Sequence, residues 1–111
     1  MTKNEIKELN SLVGVAVPTD KNELIKIIRF YSYNYPESSL NWLDVSNITD
    51  MSSLFWYTNY NGDVSMWNTS NVTNMSSMFH SAIKFNKPIS DWDVSKVTDM
   101  GCMFYEAEKF N

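Results

Sequence analysis

The chain has 111 residues, 43% of them hydrophobic, and a net charge of −4 with a pI near 4.8. This length suits one domain and excludes a nucleotide-binding domain joined to a separate substrate domain. The acidic balance excludes an ordinary nucleic-acid binder, the single Cys102 excludes a disulfide framework, and no segment has the roughly 20 apolar residues of a membrane span.

Residues 1–42 are expected to form an N-terminal helical capping region. A short helix is predicted over residues 2–13, and residues 13–17 form a brief apolar run that suits a strand or an edge contact. Glu5 and Glu8 lie in this stretch, so it does not read as a signal peptide.

A stronger helix is predicted over residues 20–32. Asp20 and Glu23 have the spacing of a capping box. Apolar residues follow at the i, i+3, i+4, i+7 spacing of one helical face, at Leu24, Ile27, Ile28 and Tyr31. Pro36 disfavours a helical residue before it, so the helix should end near residues 33–36. We expect this helix to cover the first open end of the repeats that follow.

The remainder of the chain repeats with a period of about 25 residues. Residues 67–86 and 92–111 are identical at 11 of 20 aligned positions. The copies are residues 43–66, residues 67–91 and an incomplete third at residues 92–111. Matched apolar columns are predicted to stack into one core, namely Leu43/Trp67/Trp92, Ile48/Val72/Val97, Met51/Met75/Met100, Leu54/Met78/Met103, Phe55/Phe79/Phe104 and Tyr60/Phe85/Phe110.

Within a copy, the pattern changes from strand-like to helical spacing. Residues 72–75 alternate as a short strand would, and Asn74 lies where a helix N-cap is expected. Apolar residues then follow at helical spacing, at Met75, Met78, Phe79 and Ala82. Residues 67–70 are predicted to form a second extended segment. Either segment is compatible with the main ladder of parallel strand pairing between copies. The order predicts an α/β, leucine-rich-repeat-like right-handed solenoid of short parallel strands and short helices, with an N-terminal helical cap.

The strings DVSNITDMSSLF, NTSNVTNMSSMF and DVSKVTDMGCMF carry a family resemblance. They are similar to the repeats of the BspA-like leucine-rich-repeat surface proteins of bacteria, and the similarity covers residues 43–111. The resemblance implies a cell-surface or secreted bacterial protein of the adhesion type that binds a host protein. A cytoplasmic location stays open, because the N-terminus does not read as a signal peptide.

Columns that vary while their neighbours stay fixed are candidates for recognition. They are Trp56/His80/Tyr105, Tyr57/Ser81/Glu106 and Asn59/Ile83/Glu108. Because Trp and Tyr often anchor interfaces, the candidate ligand-binding residues are Trp56, Tyr57, Tyr60, His80 and Tyr105. The alternative is that these side chains only form helix surface and local packing.

Little in the chain points to chemistry. His80 is the only histidine, and Cys102 matches two serines with no histidine at an offset that would activate it. The Asp44/Asn68/Asp93 column favours turn formation over a calcium site, because the middle position is uncharged and the glycine-rich spacing of calcium-binding repeats is missing. We therefore expect no enzyme activity, no cofactor and no metal.

The third copy is predicted to leave an apolar end at Met103, Phe104 and Phe110. This end is a candidate for self-association. The function that the sequence favours is a non-catalytic protein–protein interaction module. The alternatives are a carbohydrate-binding module that uses the exposed aromatic side chains, and a self-assembling structural repeat protein.

Overall fold

A computed structural model describes residues 17–111. The helix predicted over residues 2–13, and all but the last residue of the apolar run 13–17, lie outside this range. Within it, one α-helix, α1 (Lys21–Asn34), is followed by a chain of turns that continues to the last residue.

The helix predicted over residues 20–32 is confirmed. The Asp20 carboxylate accepts the backbone N–H of Glu23 at 2.9 Å, which satisfies one of the free donors of the first turn. The Glu23 carboxylate in turn accepts the backbone N–H and the hydroxyl of Thr19, both at 3.0 Å. The helix ends at Asn34, one residue before the residue that Pro36 restricts.

Helix α1 lies over the first copy. Its buried side chains, Leu24, Ile27 and Ile28, belong to the same apolar core as the repeats. At its N-terminal end the Lys21 ammonium contacts the Asp50 carboxylate at 3.3 Å and the Ser52 hydroxyl at 3.0 Å. The outer face of the first copy is therefore covered.

The predicted α/β solenoid of the leucine-rich-repeat type is wrong. Residues 17–111 contain one helix and no β-strand, so they form no sheet, and the segments expected as short helices are turns. Parallel pairing is limited to two isolated bridges, Asp50 with Asn74 and Asn74 with Asp99. The result is a small globule with a radius of gyration of 13.2 Å, close to the roughly 13 Å expected for about 100 residues.

Backbone hydrogen bonding explains why no helix forms after Asn74. In a helix each N–H would donate to the carbonyl four residues earlier. Here alternate amides donate three residues back, as Met78 does to Met75 at 3.2 Å. The amides between them donate sideways to the next copy, as Phe79 does to the Met103 carbonyl at 2.9 Å.

Left-handed backbone conformations make this alternation possible. Among residues 17–111, six non-glycine residues have φ between 54° and 58°, and they fall in two matched columns, Ser53/Ser77/Cys102 and Tyr57/Ser81/Glu106. A residue in this region reverses the direction of the chain and ends any helical run. The i, i+3, i+4 spacing of apolar residues therefore arises from a series of turns. These turns point into the core the side chains that a helix would also have buried.

The members of the predicted apolar columns that lie in the first two copies line one continuous core, whereas in the third copy Met100 and Phe104 are exposed. Phe79 lies at its centre, fully buried, with its ring stacked between Phe55 at 5.0 Å and Phe104 at 5.5 Å and nearly parallel to both. Phe85 contacts the same ring at 4.4 Å between centroids. Stacking identical residues from successive copies thus supplies the packing that strands would otherwise organise.

Aspartate and asparagine side chains form the turns between these layers. Asp44, Asp63 and Asp93 each accept the backbone N–H of a serine two residues on, at 2.9–3.0 Å. Hydrogen bonds from Ser46, Ser65 and Ser95 respectively lower the pKa of these three carboxyl groups below the ordinary 3.8.

These turns predict how stability depends on pH. A carboxyl group whose pKa is lower in the folded chain stabilises the fold above its unfolded pKa, and that contribution is lost as pH falls through the folded value. The melting temperature should hardly change from pH 7 to about 5 and should fall below pH 3.8. Circular dichroism melts at a series of pH values measure this.

The second copy supplies the matched control for the pH prediction. Asn68 occupies the Asp44/Asp93 column and accepts the same serine N–H at 3.1 Å without a titratable group. The double variant Asp44→Asn, Asp93→Asn should therefore fold normally and lose part of the acid sensitivity. An unchanged pH profile in this variant would contradict the assignment.

Candidate functional site

Four aromatic side chains form a row along one edge of the stacked copies. Trp56 and Tyr57 of the first copy meet edge to face with ring centroids 4.7 Å apart. Tyr57 lies 6.0 Å from His80 of the second copy, and His80 lies 5.0 Å from Tyr105 of the third. We call Trp56, Tyr57, His80 and Tyr105 the aromatic row. Residues from all three copies thus meet on one surface.

The row is set by the backbone that joins the copies. The Tyr57 N–H donates to the His80 carbonyl at 3.1 Å, and the Ser81 N–H donates to the Tyr105 carbonyl at 2.7 Å. Tyr57 and Ser81 both have left-handed backbone, with φ of 54° and 56°. Main-chain hydrogen bonds between the copies therefore fix the spacing of successive rings. The surface is preorganised for a ligand.

The row is open to solvent. Trp56 is 50% exposed, Tyr57 65% and Tyr105 56%, whereas His80 is half-buried between its neighbours. Within residues 17–111, the Trp56 indole N–H and the Tyr57 hydroxyl make no hydrogen bond. An aromatic ring with a free polar tip is well suited to contact a partner both through its apolar face and by a hydrogen bond.

Tyr60 does not belong to this surface, contrary to its prediction as a ligand-binding residue. It is fully buried, its ring stacks on Phe55 at 5.6 Å, and its hydroxyl donates to the Ser38 carbonyl at 2.6 Å. Burial, assisted by the Asp63 carboxylate, raises the pKa of its hydroxyl. The residue acts as a core side chain, in agreement with its column partners Phe85 and Phe110.

A shallow pocket of about 220 Å³ adjoins the row at the first copy. Helix α1 contributes Arg29, Ser32 and Tyr33 to its wall, and the first copy contributes Trp56, Tyr57, Thr58 and Asn59. The Ser32 hydroxyl accepts the Asn59 N–H at 3.0 Å, which joins the helix to the loop. Tyr33 is 71% exposed, so it extends the aromatic surface beyond the repeats.

His80, Ser81 and Glu106 form a small polar cluster under the row. The Ser81 hydroxyl lies 3.0 Å from His80 Nδ1 and 3.4 Å from a Glu106 carboxylate oxygen. Ser81 is only 3% exposed, so its hydroxyl is not placed to attack a substrate. The cluster orients the His80 ring in the row and links the second copy to the third.

The predicted self-association end is partly exposed. Met103 is 7% exposed and belongs to the core, while Phe104 is 38% exposed and Phe110 is half-buried. Phe104 and Phe110 stack with centroids 4.4 Å apart, and together with residues 86–90 and Asn111 they line a pocket of about 610 Å³. The two phenylalanine rings therefore contribute to the apolar surface at this end, whereas Met103 does not.

Residues 27–111 match the model of a family described as Mycoplasma protein of unknown function, DUF285. The chain belongs to the DUF285 family. No curated protein and no solved structure matches it. The matched region begins inside α1 and contains all three copies, so both surfaces described above lie almost entirely within the DUF285 part of the chain.

The sequence analysis did not predict that α1 contributes to the surface around the aromatic row. Arg29 and Tyr33 are four residues apart and so share one face of the helix, away from the buried Leu24, Ile27 and Ile28. That spacing was a usable signal. What the sequence does not show is that this helical face lies next to Trp56 and Tyr57.

The part of the chain that the structure describes has no assembled metal site. Residues 17–111 hold no group of three or more His, Cys, Asp or Glu side chains placed to bind a metal ion. Cys102 is exposed, and its thiol is free. Among the described residues, no helix has the length and apolar character needed to cross a membrane.

Proposed function

We propose that this chain is a non-catalytic binding module whose aromatic row contacts a partner protein. The observation that supports this most strongly is the row itself, in which the three copies bring aromatic side chains to one edge, beside a pocket wall that α1 supplies. Trp and Tyr are over-represented among the residues that dominate protein interfaces, because they supply a large rigid area at low entropic cost.

The geometry favours a protein partner over a carbohydrate. Trp56 stands at 82° to Tyr57, Tyr57 at 44° to His80, and His80 at 39° to Tyr105. The rings therefore make a stepped surface instead of one flat platform for stacking a sugar chain. The pocket beside them adds Arg29, whose guanidinium suits a carboxylate on the partner.

A place for this binding at the bacterial cell surface is part of the proposal. Its support is the similarity of residues 43–111 to the repeats of BspA-like surface proteins. On that basis the partner is an extracellular protein of a host. Glycans on such a protein are the alternative ligand, and the same experiment separates the two.

A binding panel with a paired variant tests the proposed function. The chain is immobilised and screened by surface plasmon resonance against purified extracellular matrix proteins, intact and enzymatically deglycosylated. The double variant Trp56→His, Tyr57→Ser should bind any protein ligand at least about tenfold more weakly, because it loses two exposed anchors. Binding that survives deglycosylation supports a protein ligand.

The repeats make this variant conservative for folding. His80 and Ser81 already occupy the matched positions, and Ser81 has almost the same backbone φ as Tyr57. Met66→Ser is the matched control, since it removes a 75% exposed apolar side chain outside the row. Equal binding by the double variant and by wild type, with equal melting temperatures, would overturn the proposed site.

A further inference from the structure

The pocket of about 220 Å³ beside the aromatic row, which we call the α1 pocket, has a basic lining in an acidic chain. It contains Arg29, the one arginine in the sequence. Among residues 17–111, no aspartate or glutamate lines it. Arg29 is exposed, and within the same range it makes no hydrogen bond or ion pair. Its guanidinium is therefore available to a ligand.

Two further side chains in the α1 pocket have a hydrogen left to donate. The Ser32 hydroxyl accepts the Asn59 N–H at 3.0 Å, so its own hydrogen is unused. The Trp56 indole N–H is a donor only, and within residues 17–111 it makes no hydrogen bond. By contrast, the Thr58 hydroxyl already donates to the Phe55 carbonyl at 2.9 Å. The pocket thus combines a guanidinium with two unused donors, a set that fits an anion.

Helix α1 is the basic part of the molecule. It carries three basic side chains and one acidic one, whereas residues 35–111 carry four basic and nine acidic ones. Lys21 pairs with the Asp50 carboxylate at 3.3 Å, about two helical turns before Arg29. The acidic repeats repel a negatively charged ligand from most of the surface. Such a ligand is therefore favoured at α1.

The volume of the α1 pocket favours one side chain over a whole small molecule. Drug-sized ligands occupy pockets of about 300–1,000 Å³. A pocket of about 220 Å³ is smaller and suits a single residue that a larger partner inserts, as interface anchors do. A phosphate group carries a charge of about −1.5 to −2, more than one guanidinium neutralises. A carboxylate matches the single charge of Arg29.

We infer that the α1 pocket binds one acidic side chain, a glutamate or an aspartate, of the partner protein. This inference rests on the proposed function, because the partner that inserts the side chain is the one that contacts the adjoining aromatic row. The Arg29 guanidinium donates two parallel hydrogen bonds to the carboxylate. The Ser32 hydroxyl and the Trp56 indole N–H are the additional donors. Trp56 thus belongs to both the pocket and the row.

The Trp56 indole N–H is a specific reporter for this pocket. The chain has four tryptophans. Trp42, Trp67 and Trp92 donate their indole N–H to main-chain carbonyls at 2.8–3.1 Å. Their NMR signals should stay in place when the pocket fills, because these hydrogen bonds are internal. The Trp56 signal should move, so the same spectrum contains the reporter and its references.

Titration of the isotopically labelled chain with two blocked pentapeptides tests the inference. Each has four alanines and a central residue, glutamate in one peptide and glutamine in the other. The glutamate peptide should move the Trp56 signal with at least about tenfold higher affinity, because a hydrogen bond to a charged group adds that much. Arg29→Gln, a substitution between good helix formers, should abolish this preference. Lys84→Gln should retain it, because it removes the same charge from an exposed residue outside the pocket.

Several outcomes would overturn the inference. Equal affinities for the two peptides would do so, as would a preference that persists in Arg29→Gln. Tighter binding of a phosphoserine pentapeptide than of the glutamate one would make phosphate the ligand instead. The proposed function has its own test in the double variant Trp56→His, Tyr57→Ser. A protein ligand that binds Arg29→Gln as well as wild type, but loses affinity for the double variant, would support the aromatic row and overturn the acidic pocket.

Discussion

Phe79→Ala should lower the free energy of unfolding by about 3–5 kcal/mol, a large part of the stability of a domain this size. Phe79 is fully buried, and its ring contacts Phe55, Phe85 and Phe104 from three sides. Truncation leaves a cavity that the stacked rings above and below cannot collapse to fill, because main-chain bonds hold the copies at fixed spacing. Urea unfolding followed by tryptophan fluorescence measures the loss.

Phe104→Ala is the control within the same column. Phe104 is 38% exposed and has a stacked ring from its own column, Phe79 of the preceding copy, on one side only. Its removal should cost about 1–2 kcal/mol, since less apolar area leaves water and the gap opens to solvent. Equal losses for the two variants would show that position in the stack does not decide the contribution of a ring.

Gly62→Ala should destabilise the fold by about 2–5 kcal/mol. A Cβ at residue 62 would lie closer than the 3.0 Å that real Cβ atoms keep from both the Ser38 carbonyl and the Tyr60 hydroxyl. These two groups are hydrogen-bonded to each other, so either the backbone shifts or the buried bond breaks. Thermal melting of the variant against wild type measures the effect.

Gly101→Ser is the matched control for the glycine prediction. A Cβ there meets only a side-chain oxygen of Asp99, at 3.2 Å, and the matched positions in the other copies are Ser52 and Ser76. This variant should change stability by less than about 0.5 kcal/mol, as a surface substitution does. If Gly62→Ala melted like Gly101→Ser, the close approach at Gly62 would be wrong.

Repetition made the core predictable. Columns such as Phe55/Phe79/Phe104 follow from aligning the copies, and the structure stacks these rings face to face. The cap of α1 was also readable, because Asp20 and Glu23 signal a helix start by local chemistry alone. Both signals depend on neighbours in sequence or on matched positions.

The regular secondary structure of the copies was not predictable in the same way. The spacing of Met75, Met78 and Phe79 fits two helical turns, but left-handed residues such as Ser77 interrupt it. These positions are serine, cysteine, tyrosine and glutamate, none of which signals a positive φ as glycine does. The lateral bonds to the next copy, which favour that backbone, are tertiary contacts.

The candidate site was partly readable. Trp56, Tyr57, His80 and Tyr105 come from columns that vary between copies, and the structure brings them together in one row. Tyr60 was predicted as a ligand contact because tyrosine often anchors interfaces, but it is buried, as its apolar column with Phe85 indicates. Its hydroxyl is used internally, on the Ser38 carbonyl.

The sequence by itself determined the repeat register, the inward-facing columns and helix α1, because each is set by side-chain periodicity or a local cap. The tertiary structure decided that the copies join through alternate lateral amides instead of helices or strands, and that Tyr60 is internal. It also decided that Tyr33 lines the pocket beside Trp56 and Tyr57. The physical reason is that an amide has one hydrogen to donate. Whether that hydrogen is donated to a carbonyl of the same copy or of the next copy depends on which acceptor the tertiary structure places beside the amide.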